Sequence, residues 1–326
     1  RIPARCRAHA AAAGRSGRDH DRCIPTGLIT MSRTKLRLKH HLLIAGGLLL
    51  LAFGIIVARN WTTFALIYDN LTAMNEGKQF AQQIRYPGDL LNYIAAHPEG
   101  VSLVAYDVGA ADEGIFYQAE RARPMVSVPN LMVLAEYARR MAADEIDPAE
   151  RVPLEALDPY VLPGAGAAQH RQARAHWRNN GMLDADSTVA LRQVVRAIVR
   201  FGDRAATDWF ITRLGRTQVE ALPARFGLGG SAPPRPSSGV HLSWNHHAAT
   251  RSVEARLADY RTMPARAYAD RVYQLTHSLR QDTAFRRQEQ ERLRQRGTDI
   301  SLRPQRALAQ ATYPRGTAAA YARWME

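Results

Sequence analysis

Lysine is nearly missing from this chain. Of its 326 residues only Lys35, Lys39 and Lys78 are lysine. Everything after position 78 is therefore without a lysine base or a Schiff-base amine. Cysteine is as scarce: Cys6 and Cys23 both precede Met31, so nothing after Met31 can form a disulfide or a thiolate metal site. No H-E-x-x-H pattern occurs. Among other candidate bases and ligands, His170, His176, His241, His246 and His247 fall in predicted loops and read as isolated surface histidines. His246 and His247 are adjacent and cannot share one face as a metal pair. No metal and no organic cofactor is expected.

Arginine is what the chain has in excess: all but three of its 44 basic residues are arginine, and the net charge is +14. Residues 1–60 carry eleven basic residues against Asp19 and Asp21, so most of the excess sits in a tail. A basic stripe on a folded face, the footprint of nucleic-acid binding, is not what this distribution describes. The Ala- and Arg-rich composition resembles the codon bias of a GC-rich genome, and no nucleic-acid partner is expected.

The chain opens on Arg1, and residues 1–30 show no hydrophobic periodicity. They read as a disordered upstream extension. From Met31 a membrane-targeting pattern begins. Residues 31–41 are basic, and 42–58 form an uncharged apolar run at the short end of a spanning helix. Trp61 and Tyr68 can sit at the far interface, and the positive-inside rule places the N-terminus in the cytoplasm and the remainder outside it. The expectation is a single-pass anchor in the cytoplasmic (inner) membrane with its domain facing the periplasm. A cleaved signal peptide and a buried core helix are the competing readings of the run.

Residues 59–88 read as a connector. A short helix is predicted over 89–97 with Asp89 as its N-cap. Alternation over 101–109 and 115–126 predicts a β-hairpin. The stretch "PMVSVPNLMVLAEYARRM" then predicts a helix over 128–141, with Leu131, Leu134, Ala138 and Met141 on its apolar face. Pro129 is tolerated in its first turn, and Ser127 is an N-cap or near-cap. Residues 153–168 read as loop. Helices are predicted over 188–201, with Leu191, Val194, Val195 and Ile198 inward, and over 202–215, capped by Asp203 and stopped by Gly215. A loop follows over 229–239, then a helical, Arg/Gln-rich region from Val253 to Arg296, then a last helical pattern, "GTAAAYARWME". A hairpin followed only by helices leaves a sheet that two strands cannot stabilise alone.

The hairpin, then "RPMVSVPNLMVLAEYAR", then "AIVRFGDRAATDWFITRLG" and "YPRGTAAAYARWM", resembles the class A β-lactamase and penicillin-binding serine hydrolase family. The resemblance spans about residues 89–326, and three motifs, S-x-x-K, S-D-N and K-T-G, define its chemistry. It implies an α+β, β-lactamase/transpeptidase-like fold: a helical domain on an antiparallel sheet, here incomplete, preceded by one transmembrane helix. It implies Ser127 as nucleophile, with Asn130 at the position of the lysine that would deprotonate it. Gly202, Asp203 and Arg204 fall on S-D-N, so the shuttle hydroxyl is absent and an arginine replaces the short amide. K-T-G would fall beyond residue 326, an expectation of C-terminal truncation. A deacylating glutamate has no counterpart, and neither Glu220 nor Glu254 can be assigned to it.

The implied function is a membrane-anchored, β-lactamase-like serine hydrolase domain. It would form an acyl-enzyme with a β-lactam or a related peptidoglycan-like amide or ester, with weak or no turnover because its base and proton shuttle are replaced. The alternatives are a non-catalytic binding or scaffolding relative at the cell wall, and a fragment of a longer gene. Oligomeric state is not legible.

Overall fold

The computed structural model of the chain describes residues 32–110, 113–245, 252–297 and 300–326, in a unit ending at Trp61 and a second running from Thr62. The expectations for residues 1–30 and for His246 and His247 lie outside the described residues. The first unit holds helix α1 (Ser32–Arg59). Its segment His40–Arg59 is long and apolar enough to cross a membrane, with a mean hydropathy of 2.5. Leu43, Leu49 and Leu50 are each more than 70% exposed, which is not how a core helix behaves.

The connector region is largely helix α2 (Trp61–Gln83). It touches the distant helix α14 described below: Asn70 Oδ1 accepts a hydrogen bond of 2.9 Å from the backbone N–H of Leu302, and Glu76 pairs with Arg303. Helix α3 (Pro87–Ala96) starts earlier than predicted. Pro87 takes the first helical position, where a missing N–H costs nothing. Asp89 is thereby the third helical residue, not the cap, and accepts from the N–H groups of Arg85 and Tyr86, both at 3.0 Å.

The hairpin forms, but its strands are short. β1 (Leu103–Ala105) and β2 (Ile115–Tyr117) pair antiparallel, with Leu103 opposite Tyr117. β2 stops where Gln118 turns left-handed at φ 46°. The chain then re-enters a ladder as β3 (Arg123–Pro124). Helix α4 (Asn130–Ala142) follows, and its buried face is Met132, Val133 and Glu136. The predicted face is corrected: Leu131 and Met141 are exposed. The reason is a fully buried carboxylate in the inward stripe. Glu136 pairs with Arg139 at 3.0 Å and with Arg140 and Arg225 at 2.7 Å.

Next come β4 (Arg151–Pro153), helix α5 (Ala167–Asn179) and β5 (Thr188–Ala190). β4 and β5 pair antiparallel, so the expectation of helices alone after the hairpin is also corrected. Helices α6 (Leu191–Arg200) and α7 (Arg204–Leu214) follow the spacing that predicted them, although the first three residues of the helix predicted over 188–201 are strand β5 instead. α6 buries Leu191, Val194, Val195 and Ile198, and α7 ends at Gly215, φ 86°. Short helices α8 (Arg216–Glu220) and α9 (Leu222–Arg225) lead to α10 (Ser237–Asn245), α11 (Val253–Thr262), α12 (Ala265–Gln281) and α13 (Thr283–Arg296). The chain closes with α14 (Leu302–Thr312), β6 (Arg315–Gly316) and α15 (Ala318–Met325). β6 pairs with β3, Arg123 facing Gly316.

The described residues are thus mostly helical, with three two-stranded antiparallel ladders among them. One core gathers Val194, Phe210, Ile211 and Leu214 with Met132, Val133 and Trp177. Each large side chain so buried contributes about 1.5–3 kcal/mol. A second core joins α10 to α12 through Val240, Trp244, Tyr268 and Val272. These two helices approach so closely at Gly239 that a Cβ there would run into the Val272 carbonyl and the Thr276 hydroxyl.

Candidate active site

The cleft that holds the predicted residues is built at the junction of four segments. The β3–β6 ladder fixes its first wall: the N–H of Met125 donates to the carbonyl of Pro314 at 2.7 Å. Val126 and Ser127 are thereby set beside Tyr313 and Pro314. The chain then turns into α4, with the Asn130 N–H donating to the Ser127 carbonyl at 3.0 Å. The end of α6 and start of α7 supply Ile198, Phe201, Gly202 and Arg204, and α10 supplies Val240, His241 and Trp244. The enclosed space is about 550 Å³, the size of a small-molecule site.

Four of the five candidate residues line this one cavity: Ser127, Asn130, Gly202 and Arg204. Ser127 is exposed and Asn130 half-buried. The capping role for Ser127 is not observed. The helix begins at Asn130, two residues later than a Ser127 cap requires, and no side chain caps it. Ser127 and Asn130 are three residues apart, the spacing that lets two side chains meet across a helical turn.

Gly202 turns the chain between α6 and α7 at φ +63°, a conformation glycine adopts at little cost. It offers the cavity no hydroxyl. Asp203 does not line the cavity. It is fully buried, and its Oδ1 accepts from the N–H groups of Ala205 at 3.0 Å and Ala206 at 3.2 Å, a regular N-cap. Its Oδ2 lies 2.9 Å from His170 Nδ1. Arg204, exposed at the first position of α7, lays its aliphatic stem over Gly166. A Cβ at Gly166 would lie only 3.1–3.2 Å from the Cβ, Cγ and Cδ of Arg204.

The histidine expectations are corrected. His170 and His176 lie on α5 and His241 on α10. His170 is 2% exposed and bound to Asp203, whereas His176 lies tilted against Phe201 with ring centroids 5.5 Å apart. His241 is the residue the sequence reading missed in the cavity wall. Its Nε2 is enclosed and has no hydrogen-bond partner among the described residues. Burial first, then the positive charges of Arg204 and Arg292, push its pKa down to about 4, so the imidazole is neutral at pH 7. The signal for this helix was present: Pro236 directly before "SSGVHLSWN" is a helix-start pattern.

Chemically, the cavity offers a hydroxyl at Ser127, a carboxamide at Asn130, the cations Arg204 and Arg235, and one neutral imidazole. Among the described residues lining it there is no carboxylate. Glu220 is on α8, paired with Arg216 at 2.7 Å, and Glu254 is on α11; neither lines the cavity. No group of three or more metal-ligating side chains occurs among the described residues.

A model of the β-lactamase enzyme family matches residues 88–297, a span that contains Ser127, Asn130 and the Gly202–Arg204 turn. No curated protein and no solved structure matches the chain.

Proposed function

The chain belongs to the β-lactamase enzyme family, and from that membership we propose that the Ser127 cleft is a slow acyl-transfer site, carried on the outer side of the cytoplasmic membrane by residues 42–58. The single observation that carries this reading is the convergence of Ser127, Asn130, Gly202 and Arg204 on one cavity of small-molecule size.

In this reading the Ser127 hydroxyl attacks the carbonyl carbon of a β-lactam or a related cell-wall amide or ester, the carbonyl–nitrogen (or ester carbonyl–oxygen) bond breaks, and the freed ring or leaving-group nitrogen or oxygen takes up a proton. The hydroxyl proton needs an acceptor. The Asn130 carboxamide cannot accept it, and an unassisted serine is a poor nucleophile near neutral pH. Among the described residues His241 is the one lining group with a neutral basic nitrogen, and a pKa near 4 makes it a weak base. Positioned acid–base catalysis contributes roughly 10²–10⁴-fold, and most of that contribution is absent here. With no carboxylate among the described lining residues to activate water, an acyl group on Ser127 would also persist, so acylation without turnover is the expected behaviour.

The test is labelling with a fluorescent penicillin. Slow, stable labelling that disappears in Ser127→Ala, without steady hydrolysis of a chromogenic cephalosporin, is the expected result. Labelling that survives Ser127→Ala, or sustained hydrolysis, would overturn it. A second reading, a non-catalytic binding module at the cell wall, is favoured by the simultaneous replacements at Asn130, Gly202 and Arg204. Reversible binding of the penicillin with no covalent label would select it.

A further inference from the structure

Beside the Ser127 cleft lies a second, larger concavity of about 950 Å³, reached across shared walls: Gly164, Gln169 and Arg204 line both. Five arginines face it. Arg171, Arg174 and Arg178 come from α5, Arg204 from the start of α7 and Arg294 from α13. Positions 171, 174 and 178 fall on one side of the helix because residues three and four apart are neighbours there. Among the described residues only one acid, Asp158, shares the wall, and it is engaged by Arg174 at 2.8 Å. Arg294 reaches Glu291 at 3.2 Å across an exposed pair. Arg171, Arg178 and Arg204 have no ion-pair partner among the described residues.

Arginine is common in this chain, so the number carries little; the convergence on one concave surface is the observation. Like charges brought together repel, and surface arginines spread apart unless something holds them. The backbone adds to the field. The first turn of α5 opens at this cleft through Ala167, Ala168 and Gln169. It contains no acidic residue, and no side chain caps its N–H groups. The positive end of the helix dipole is therefore uncompensated where the arginines gather. Gly166, at φ 104°, lets the Arg204 stem lie across this end, which puts one cation in the wall of both clefts.

We propose that this cleft is an anion subsite continuous with the Ser127 cavity, and that it selects small ligands carrying an acidic extension with at least two oxyanion groups. One group is held near Arg204, and the other between Arg171 and Arg178. Arginine suits both carboxylate and phosphate because its planar fork donates two parallel hydrogen bonds. The inference rests on the acyl-transfer reading only for the reactive end of the ligand; the subsite itself is a matter of binding.

The experiment is titration calorimetry on the full chain in detergent, with inorganic pyrophosphate in one arm and tri-glutamate in the other. Saturable binding in either arm is expected, weakening as salt rises. Binding of pyrophosphate alone assigns a phosphate extension, of tri-glutamate alone a carboxylate one, and of both a general oxyanion site. Arg171→Gln/Arg178→Gln should weaken binding about tenfold or more, as loss of charge-assisted bonds does. Arg261→Gln/Arg266→Gln removes the same charge from exposed positions on α11 and α12 and should leave binding within about twofold. No binding in either arm, or equal losses in the two double variants, would overturn the subsite. Penicillin labelling of the same proteins keeps the two claims apart. Intact anion binding with no label on wild type sinks the acyl-transfer reading alone, whereas an intact label with no anion binding sinks the subsite alone.

Discussion

The two faces of α4 handle polar groups in opposite ways. Behind the helix, Glu136 is 0% exposed and both of its carboxylate oxygens are met by arginine, from Arg139, Arg140 and Arg225. In front of it, the cleft leaves polar atoms enclosed and unpartnered among the described residues: His241 Nε2, Arg235 Nε and Trp244 Nε1. Buried polar groups in folded proteins are almost always satisfied, and the exceptions ask for a reason. The first arrangement serves stability. The second withholds hydrogen bonds from the fold and leaves them for a ligand or solvent. Substitutions on the two faces should therefore separate: large losses of stability behind the helix, small ones in front.

The largest effect is expected at Glu136. Burial would raise its pKa, but hydrogen bonds from Arg139, Arg140 and Arg225 outweigh that and hold it at about 2, below the usual 4.5. Glu136→Gln keeps the shape and removes the charge, leaving three guanidinium groups without their common partner. Breaking a buried pair in this way costs about 3 kcal/mol or more, read as a fall in urea midpoint at pH 7. The sign of the pH dependence follows. A carboxylate depressed in the fold gives stability that is fully present above about pH 4.5 and lost as pH falls toward about 2. Glu136→Gln should flatten that acid limb. A variant as stable as wild type at pH 7 would break the contrast between the two faces.

An intermediate effect is expected at Gly239, which lies under the cleft. The tight crossing of α10 on α12 fixes the rotation of α10, and with it the placement of His241 and Trp244 in the wall. Gly239→Ala puts a methyl group against the Val272 carbonyl and the Thr276 hydroxyl, and the carbonyl, being backbone, cannot retreat without moving α12. Overpacking of this kind costs about 1–3 kcal/mol. The variant should lose that stability and also loosen the cleft, measured as weaker penicillin labelling at an unchanged Ser127. Loss of stability with labelling intact would show that the α10 wall does not shape the site.

The same contrast marks how far the sequence could be read. α6 and α7 were legible because Leu191, Val194, Val195 and Ile198 repeat at helical spacing and Asp203 and Gly215 punctuate them. α5 was not, because its core contacts are only His170, Ala173 and Trp177, too sparse an apolar stripe among arginines and glutamines. The face of α4 was misread for a related reason. Its inward stripe carries Glu136, and pattern reading counts a carboxylate as outward even where three arginines neutralise it. β4 and β5 are three residues each, below the length at which alternation is a signal. Of the site, the meeting of Ser127, Asn130, Gly202 and Arg204 followed from motif order along the chain. His241 did not, because no local pattern encodes how α10 is rotated against α12; that is set by a glycine meeting a helix thirty-odd residues on.

The smallest effect belongs to the front face itself. His241 is held neutral, its pKa pushed from the usual 6.5 to about 4 by burial and by Arg204 and Arg292, with Glu289 opposing. A group depressed in the fold gives stability that is present above about pH 6.5 and lost as pH falls toward about 4. His241→Gln cannot take up a proton, so between pH 7 and pH 5 the variant should lose less stability than wild type, by on the order of 1 kcal/mol. The difference between the two proteins is the quantity to measure, because Asp208 titrates in the same window with the opposite sign. Burial raises its pKa to about 6 against the hydrogen bonds from Ser238 and Ser237, so its contribution grows as pH falls and cancels in the comparison. At pH 7 the two proteins should be nearly equal in stability, since the imidazole Nε2 makes no bond to lose. Equal stability at pH 7 with a slower penicillin label in His241→Gln would place the imidazole in the chemistry of Ser127; a substantial loss of stability at pH 7 would instead move His241 to the same class as Glu136, a polar group the fold depends on.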